Sequence, residues 1–310
     1  MNRTCKQFVN FKKNKFNNLS FESRLKYYLG MELYKINKIN IKNGLKFKDL
    51  DKPILNSNGW GPPMEIYNIP LKNLLIQTNH IDKLFCFTPG DIEESQPITT
   101  LVKNRINSKQ ISVILRSLEF DRHWNAFYNI NDNVFFRDKK DIVFWRGATT
   151  GHPFKIANRF LFVKQWFNKL PEIDVGFNLI CQNQDKYNKY LKDTITINEF
   201  YKYKYLISIE GNDKDSGLNW KLASNSLVMM AKPRCCSWLM EDMLIPNYHY
   251  LLLKDDFSDL LEKLEWCKTN SKEVLDIIHH ASEYMNTFKN NKLEQTLEQT
   301  VINNYFKRIC

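Results

Sequence analysis

Paired cysteines at metal-ligand spacing are missing from this chain of 310 residues. Its seven Cys (Cys5, Cys86, Cys181, Cys235, Cys236, Cys267 and Cys310) are odd in number, irregularly spaced and without a C-x-x-C pair. That argues against a structural zinc site. Cys235 and Cys236 are adjacent, an awkward geometry for a mutual disulfide. Reduced thiols in a cytosolic compartment are the expectation. Glycine is also sparse, with ten copies, and none falls in a G-x-x-x-x-G-K-[ST] or G-x-G-x-x-G pattern. The first absence disfavours ATP hydrolysis and the second weakens a dinucleotide reading. Neither H-E-x-x-H nor G-x-S-x-G occurs, which removes the common metallopeptidase and hydrolase readings. No run approaches the roughly 18 apolar residues of a membrane span. The segment MNRTCKQFVNFKKNKFNN is basic but lacks an apolar core, so it is not expected to be a secretory signal. Membrane contact, where it occurs, is expected to be peripheral.

Present instead is an excess of positive charge, +11 by formal count. A basic balance suggests a polyanionic partner: nucleic acid, an anionic membrane face or phosphorylated substrates. The Asn/Lys bias of the chain is an alternative source of the same excess. Hydrophobic residues reach 43%, with 21 Phe and 14 Tyr, enough for a sizeable core. The length favours two domains.

Along the chain, residues 21–36 show helical spacing at Leu25, Tyr28, Leu29 and Leu33, with Ser20 and Ser23 placed to cap. NSNGWGPPMEIYNIP reads as a loop carrying Trp60. KLFCFTPGD reads as a short buried strand ending in a Pro-Gly turn, with Asp91 directly after it. PITTLVKNR reads as the next strand, running to Lys103 and Arg105. SVILRSLEFDRHW is less regular and has room for a short helix. KKDIVFWRGATTG is the clearest strand-to-loop unit, and residues 154–169 after it have helical spacing at Phe154, Ile156, Phe160, Val163 and Phe167. VGFNLI, YLISIEG, SLVMMA and HYLLL follow as strands with helices between them, ending in helix from about residue 271. Strands alternating with helices imply parallel βαβ units.

Arg146, at the end of a strand that runs through Thr149, Thr150 and Gly151 into a helix, fits an anion site, with Arg159 as a second cation. The alternative is a structural Arg at a strand edge. Asp91 fits either a turn cap or a base for an acceptor hydroxyl. In GNDKDSG, residues 211–217, the D-x-D spacing of Asp213 and Asp215 resembles a metal pair, while a solvated turn accounts for it equally simply. His279 and His280 are consecutive and point apart on a helix, and His249 reads as packing. His123, beside Arg122 and Trp124, has a cleft position as its other reading. YKYKY at 201–205 mixes aromatics with Lys as base-stacking surfaces do, yet it also enters a strand.

Several of these segments together resemble glycosyltransferase family 90, which includes bacterial lipopolysaccharide proteins, fungal capsule xylosyltransferases and animal protein O-glucosyltransferases. The bacterial branch is the most similar. The matching pieces are FWRGATTG, YKYKYLISIEGND, NWKLASNSLVMM and LIPNYHYLLLKDDFSDLLEKLEWC, in the family's order over about residues 80–270. The resemblance implies an α/β fold of GT-B type with two Rossmann-like lobes and a cleft between them. Residues 1–130 would form an acceptor-side lobe, 131–270 a nucleotide-sugar lobe, and 271–310 terminal helices returning to the first lobe. It implies a UDP-sugar donor, inversion at the anomeric carbon, and no metal or other cofactor. By the same resemblance Asp91 is the catalytic base. Arg146, Gly147, Thr149, Thr150, Gly151 and Arg159 would face the donor from one loop and helix, and Gly211, Lys214, Ser216, Lys221 and Ser226 from the segments after. Lys103, Arg105 and Trp60 fall on the acceptor side. The animal enzymes carry a further Arg where Gly217 stands here, with Lys214 or Lys221 as the substitute. The expected role is transfer to a glycan or glycolipid acceptor in lipopolysaccharide or surface-glycan assembly, in the cytoplasm or peripherally at an anionic membrane. Protein O-glycosylation and a noncatalytic nucleotide- or glycan-binding role are the alternatives, and nucleic acid is not an expected partner.

Overall fold

The computed structural model describes residues 19–30, 41, 43–56, 59–93, 96, 100–106 and 114–308. The expected features at Leu33, Pro97–Thr99, Cys5, Cys310 and the basic segment 1–18 lie outside the described residues. The chain divides into two compact units. The first takes residues 1–119, 234–243 and 290–310, and the second 120–233 and 244–289.

The second unit is built on five parallel strands. β5 (Lys140–Ala148), β6 (Ile173–Leu179), β7 (Tyr203–Ile207), β8 (Leu227–Met230) and β10 (Leu251–Leu252) pair in the order β10-β8-β7-β5-β6. A parallel sheet is covered on both faces, so its strands read as near-continuous apolar runs, as in IVFW and LVMM. Side chains alternate between the faces. Val143, Trp145, Val175, Phe177, Tyr205, Ile207, Leu227 and Met229 share one core. It includes Phe160 and Val163 of helix α4 (Arg159–Trp166), Leu260 and Leu264 of α7 (Leu260–Thr269), and Val274 and Ile277 of α8 (Ser271–Asn286). On the other face Phe144 stacks on Tyr203 with ring centroids 4.0 Å apart. It also meets Phe200 of α5 (Ile197–Phe200) edge-on, and Phe200 packs on Trp220 of α6 (Leu218–Ala223). Each large side chain so buried contributes about 1.5–3 kcal/mol.

The strand order contains a reversal. From β5 the chain crosses through α4 to β6 on one side, then returns to place β7 on the other side of β5. In open α/β sheets, ligands bind at the carboxyl ends of the strands beside such a switch point.

The first unit has a three-stranded parallel sheet of β1 (Cys86–Phe87), β2 (Thr100–Val102) and β4 (Ile114–Leu115), and an antiparallel pair of β3 (Asn104–Arg105) with β9 (Cys236–Ser237). Three longer helices belong to it: α1 (Phe21–Leu29), α2 (Met64–Gln77) and α9 (Asn291–Arg308). Ser20 caps α1 by accepting from Ser23 N, as its spacing suggests. Gly30, at φ 77°, ends the helix after Leu29, well before residue 36.

Three other readings are corrected. The stretch MEIYNIP is not loop but the opening of α2, which carries Pro70 within it and buries Tyr67, Leu71, Leu74 and Leu75. The helix expected from 154 starts only at Arg159, because Ala157 adopts φ 52° and Asn158 caps by accepting from Leu161 N. Phe154 and Ile156 are therefore exposed, at 83% and 63%, rather than on a buried stripe. The terminal helices are also split between units: α8 belongs with the five-stranded sheet, and α9 belongs to the first unit. Residues 120–128, which had no settled reading, form a π-helical turn followed by α3 (Asn125–Tyr128).

Candidate functional site

At the β5/β7 switch point three loops meet. The loop after β5 turns at Gly151, with φ 88°. A side chain there would put its Cβ 2.8 Å from the Gly211 carbonyl oxygen, so the loops after β5 and β7 touch backbone to backbone. A Cβ on Gly211 would in turn stand 2.5 Å from Thr150 Oγ1 and 3.1 Å from the Arg159 guanidinium carbon. Glycine is required at both places for this close approach.

Arg159, the first residue of α4, lies across the switch point. Its Nε and Nη2 donate to Ile209 O at 3.2 and 3.1 Å. Its Nη1 donates to Ala148 O at 3.1 Å and to Thr150 Oγ1 at 2.6 Å. One guanidinium thus links the ends of β5 and β7 while holding a full positive charge between them. Burial lowers its pKa, and Asp215 and Asp213 act against that shift.

Beneath it is a buried polar cluster. Asp215 accepts from Lys221 Nζ at 2.6 Å, Ser208 Oγ at 2.8 Å and Gly217 N at 2.9 Å. Burial favours its neutral form, but Lys221, Arg159 and the Gly217 amide overcome this and hold its pKa at about 2. Asp215 of the D-x-D pair is thus a fixed counter-ion to Lys221. Among the described residues no group of three His, Cys, Asp or Glu side chains is disposed to hold a metal ion.

Of the expected donor residues, the structure gathers Thr150, Gly151, Arg159 and Gly211 at the switch point. Arg146 is not among them. Its Nη2 donates to Asp174 Oδ1 at 2.8 Å and its Nη1 to Asp174 O at 3.1 Å. Asp174 stands opposite Phe144 in register, while Arg146 itself stands opposite Gly176. The guanidinium therefore leans two residues back toward the amino end of the sheet, over the Phe144 ring at 4.5 Å, away from the loop crevice. Gly147 faces the Trp145 ring, where a Cβ would come within 2.7 Å. Thr149 is buried and joins the end of β5 to Cys181, donating to its O at 2.9 Å and accepting from its N at 2.8 Å. Lys214 donates to Asn219 Oδ1 at 2.7 Å, so both lysines offered as a second donor cation are engaged inside the fold. Ser216 is half-buried in the same loop. Ser226 stands apart from the switch-point group. It precedes β8 and donates to Tyr203 O at 2.8 Å, at the amino end of the sheet.

The first unit places its own candidates at strand ends as well. Asp91 follows the Gly90 turn, φ 82°, and accepts from Lys103 Nζ at 2.6 Å. The Lys103 side chain is 5% exposed and that of Asp91 16%, so the carboxylate side of the pair reaches solvent. Asn104 clamps the next residue, accepting from Ile92 N and donating to Ile92 O, both at 3.0 Å. Trp60, 54% exposed, stands beside this turn, with one ring carbon 3.6 Å from the Cβ position of Gly90. Arg105 is elsewhere: buried, over the Tyr27 ring, it donates to the Tyr27 and Tyr28 carbonyls that end α1. There it braces a helix terminus.

Sequence reasoning missed Asp174, Asn212, Gln182 and Lys155. Asp174 lay just outside the expected strand, Gln182 and Lys155 carry no motif, and Asn212 lay within GNDKDSG without a role of its own.

An open five-stranded parallel sheet with a switch point in its strand order is the architecture of a Rossmann-like α/β protein. The chain belongs to Glycosyl transferase family 90, whose model matches residues 116–309, more than half of its length. It is 30% identical over 227 residues to the O-glucosyltransferase LpsA of Dichelobacter nodosus, covering 73% of this chain and 68% of that one. It is also 30% identical over 100 residues to uncharacterized protein 179R of Invertebrate iridescent virus 6, and 32% identical over 89 residues to protein O-glucosyltransferase 2 of Danio rerio. Those two matches span 30% and 29% of this chain, but only 8% and 18% of the relatives. The chain is a glycosyltransferase, an enzyme class that takes its sugar from a donor substrate. No helix among the described residues is long and apolar enough to cross a membrane.

Proposed function

We propose that the chain transfers a sugar, glucose being the first candidate from the relatives' names, from a UDP-sugar to a hydroxyl of a glycan or glycolipid acceptor, with inversion. The observation that carries the reading is the cationic crevice at the β5/β7 switch point, where Arg159, Thr150, Gly151 and Gly211 converge. The GT-B scheme assigns the donor to this second unit and the acceptor to the first.

In the proposed step, an acceptor oxygen attacks the anomeric carbon as its proton passes to the Asp91 carboxylate. The bond from that carbon to the diphosphate oxygen breaks, and UDP leaves with the electron pair. Arg159 and the loop amides meet the developing charge. Lys103 keeps the Asp91 carboxylate oriented. The reading assigns no role to a metal, so added chelator should leave the rate unchanged. The net charge of +11 supports peripheral contact with an anionic membrane during lipopolysaccharide or lipooligosaccharide assembly at its cytoplasmic side. Protein O-glycosylation is the second reading, favoured by the matches to animal protein O-glucosyltransferases.

A screen of UDP-sugars that measures UDP release tests the donor, and parallel glycolipid and protein acceptors separate the two readings. Asp91→Asn should abolish transfer and leave UDP affinity intact by calorimetry. Near-normal turnover in that variant removes Asp91 as the base.

A further inference from the structure

Asn212 stands where the three loops meet, and the mechanism above leaves it without a part. Its Oδ1 accepts from Gly151 N at 2.7 Å and from Gln182 Nε2 at 3.1 Å. Its main-chain oxygen accepts from Lys155 Nζ at 2.8 Å. One residue on the loop after β7 therefore holds the loop after β5 at two points and the segment after β6 at a third. The backbone contact of Gly151 with Gly211 lies directly under this clasp, next to Thr150 and Arg159.

We propose that Asn212 is the positioning residue of the donor site: its amide oxygen fixes the three strand-end loops in the shape that receives the sugar nucleotide. The inference rests on the reading that this crevice binds the diphosphate. The residue type is part of the inference. An amide oxygen accepts two hydrogen bonds without carrying charge. A carboxylate would accept them more strongly but would place a negative charge beside an anion site. Serine is too short to reach both donors, and a left-handed glycine at 151 leaves its N–H directed at the neighbouring loop.

Two substitutions at one position separate this role from plain support of the fold. Asn212→Ala removes both bonds and should raise donor KM and the UDP dissociation constant roughly tenfold. Acceptor KM should stay within about twofold. Asn212→Asp keeps both bonds, so its thermal midpoint should match the parent enzyme. Its donor KM should nonetheless rise at low salt and recover toward the parent value as salt screens the added charge. Gly151→Ala should raise donor KM in the same direction by pressing the two loops apart. Combined with Asn212→Ala it should give less than the product of the single effects. An unchanged donor KM in Asn212→Ala overturns the inference while leaving the donor reading in place. A lowered midpoint and kcat with unchanged donor KM overturns it equally, because Asn212 would then only support the fold. Absence of UDP binding in the parent enzyme overturns the donor reading, and the inference with it.

Discussion

Arg146 and Arg159 show how far residue type alone leads. Both are arginines near the end of one strand-loop-helix unit, and both fit a phosphate in the sequence. The backbone separates them: Arg146 alternates onto the Phe144 face and meets Asp174, while Arg159 opens α4 and reaches the strand ends. Arg146→Met should therefore lower the thermal midpoint, through a lost, partly exposed pair worth about 1–3 kcal/mol, and leave UDP affinity within about twofold. Arg159→Met should weaken UDP binding by about tenfold or more. A large loss of UDP affinity in the Arg146 variant would reverse the assignment. By local pattern Asp91 was an Asp after a Pro-Gly turn, and only the family resemblance made it the expected base. Its partner Lys103, twelve residues later, was visible only as the end of another strand. Their pairing depends on the parallel neighbours β1 and β2, which put the two strand ends side by side.

At the scale of elements, the sheet and most of the helices follow from local pattern, since apolar runs buried on both faces suit parallel strands. The failures share a cause. Pro63 and Pro70 look like helix breakers, yet Pro is tolerated at a helix start, and α2 buries enough of one face to outweigh its inner Pro. Apolar residues at 154 and 156 mimic a helical stripe, but the chain before Arg159 is held by a left-handed Ala157. The link between β10 and α8 carries a pH dependence. His249 is buried before β10, and its Nδ1 accepts from Ile245 N at 2.8 Å. Its ring lies 5.2 Å from that of Tyr284 on α8, and the neighbouring Tyr248 stacks on His280. Burial, and then the nearby His280, lower its pKa to about 3. The unfolded chain takes up this proton near pH 6.5 while the folded one does not. The stability it contributes is complete above that pH and is lost as pH falls from 6.5 toward 3. At pH 5 the loss is about 2 kcal/mol. His249→Asn, whose amide oxygen accepts the same N–H without titrating, should show a smaller fall in thermal midpoint between pH 7.5 and 5. An equal fall in both proteins would place the dependence elsewhere.

For the molecule as a whole, the informative fact is that the first unit is assembled from three pieces of chain. Glu294 of α9 accepts from Arg24 of α1 at 2.7 and 2.6 Å and from Trp238 Nε1 at 2.7 Å, so all three pieces meet at one buried carboxylate. Tyr28 stacks on Trp238 at 3.7 Å and donates to its carbonyl, and Tyr305 Oη accepts from Cys86 N beside β1. Removing residues 290–310 takes away the buried Leu297, Val301 and Ile302 and should open the first unit to proteolysis, while the second retains its own core. Glu294→Ala should give a milder form, about 3–5 kcal/mol, because Arg24 would remain buried without its counter-ion. Even digestion of both units would show instead that they unfold together. Composition, apolar patterning and the segments from FWRGATTG to LEWC were by themselves enough to determine the class of protein, the parallel sheet and the family, because those properties are written in local order along the chain. Which arginine ties the ends of β5 and β7 together, which aspartate is a counter-ion, and that Asn212 joins three loops were decided only by tertiary structure. Strand order and register bring together residues 30 to 61 positions apart, and no local pattern records that meeting.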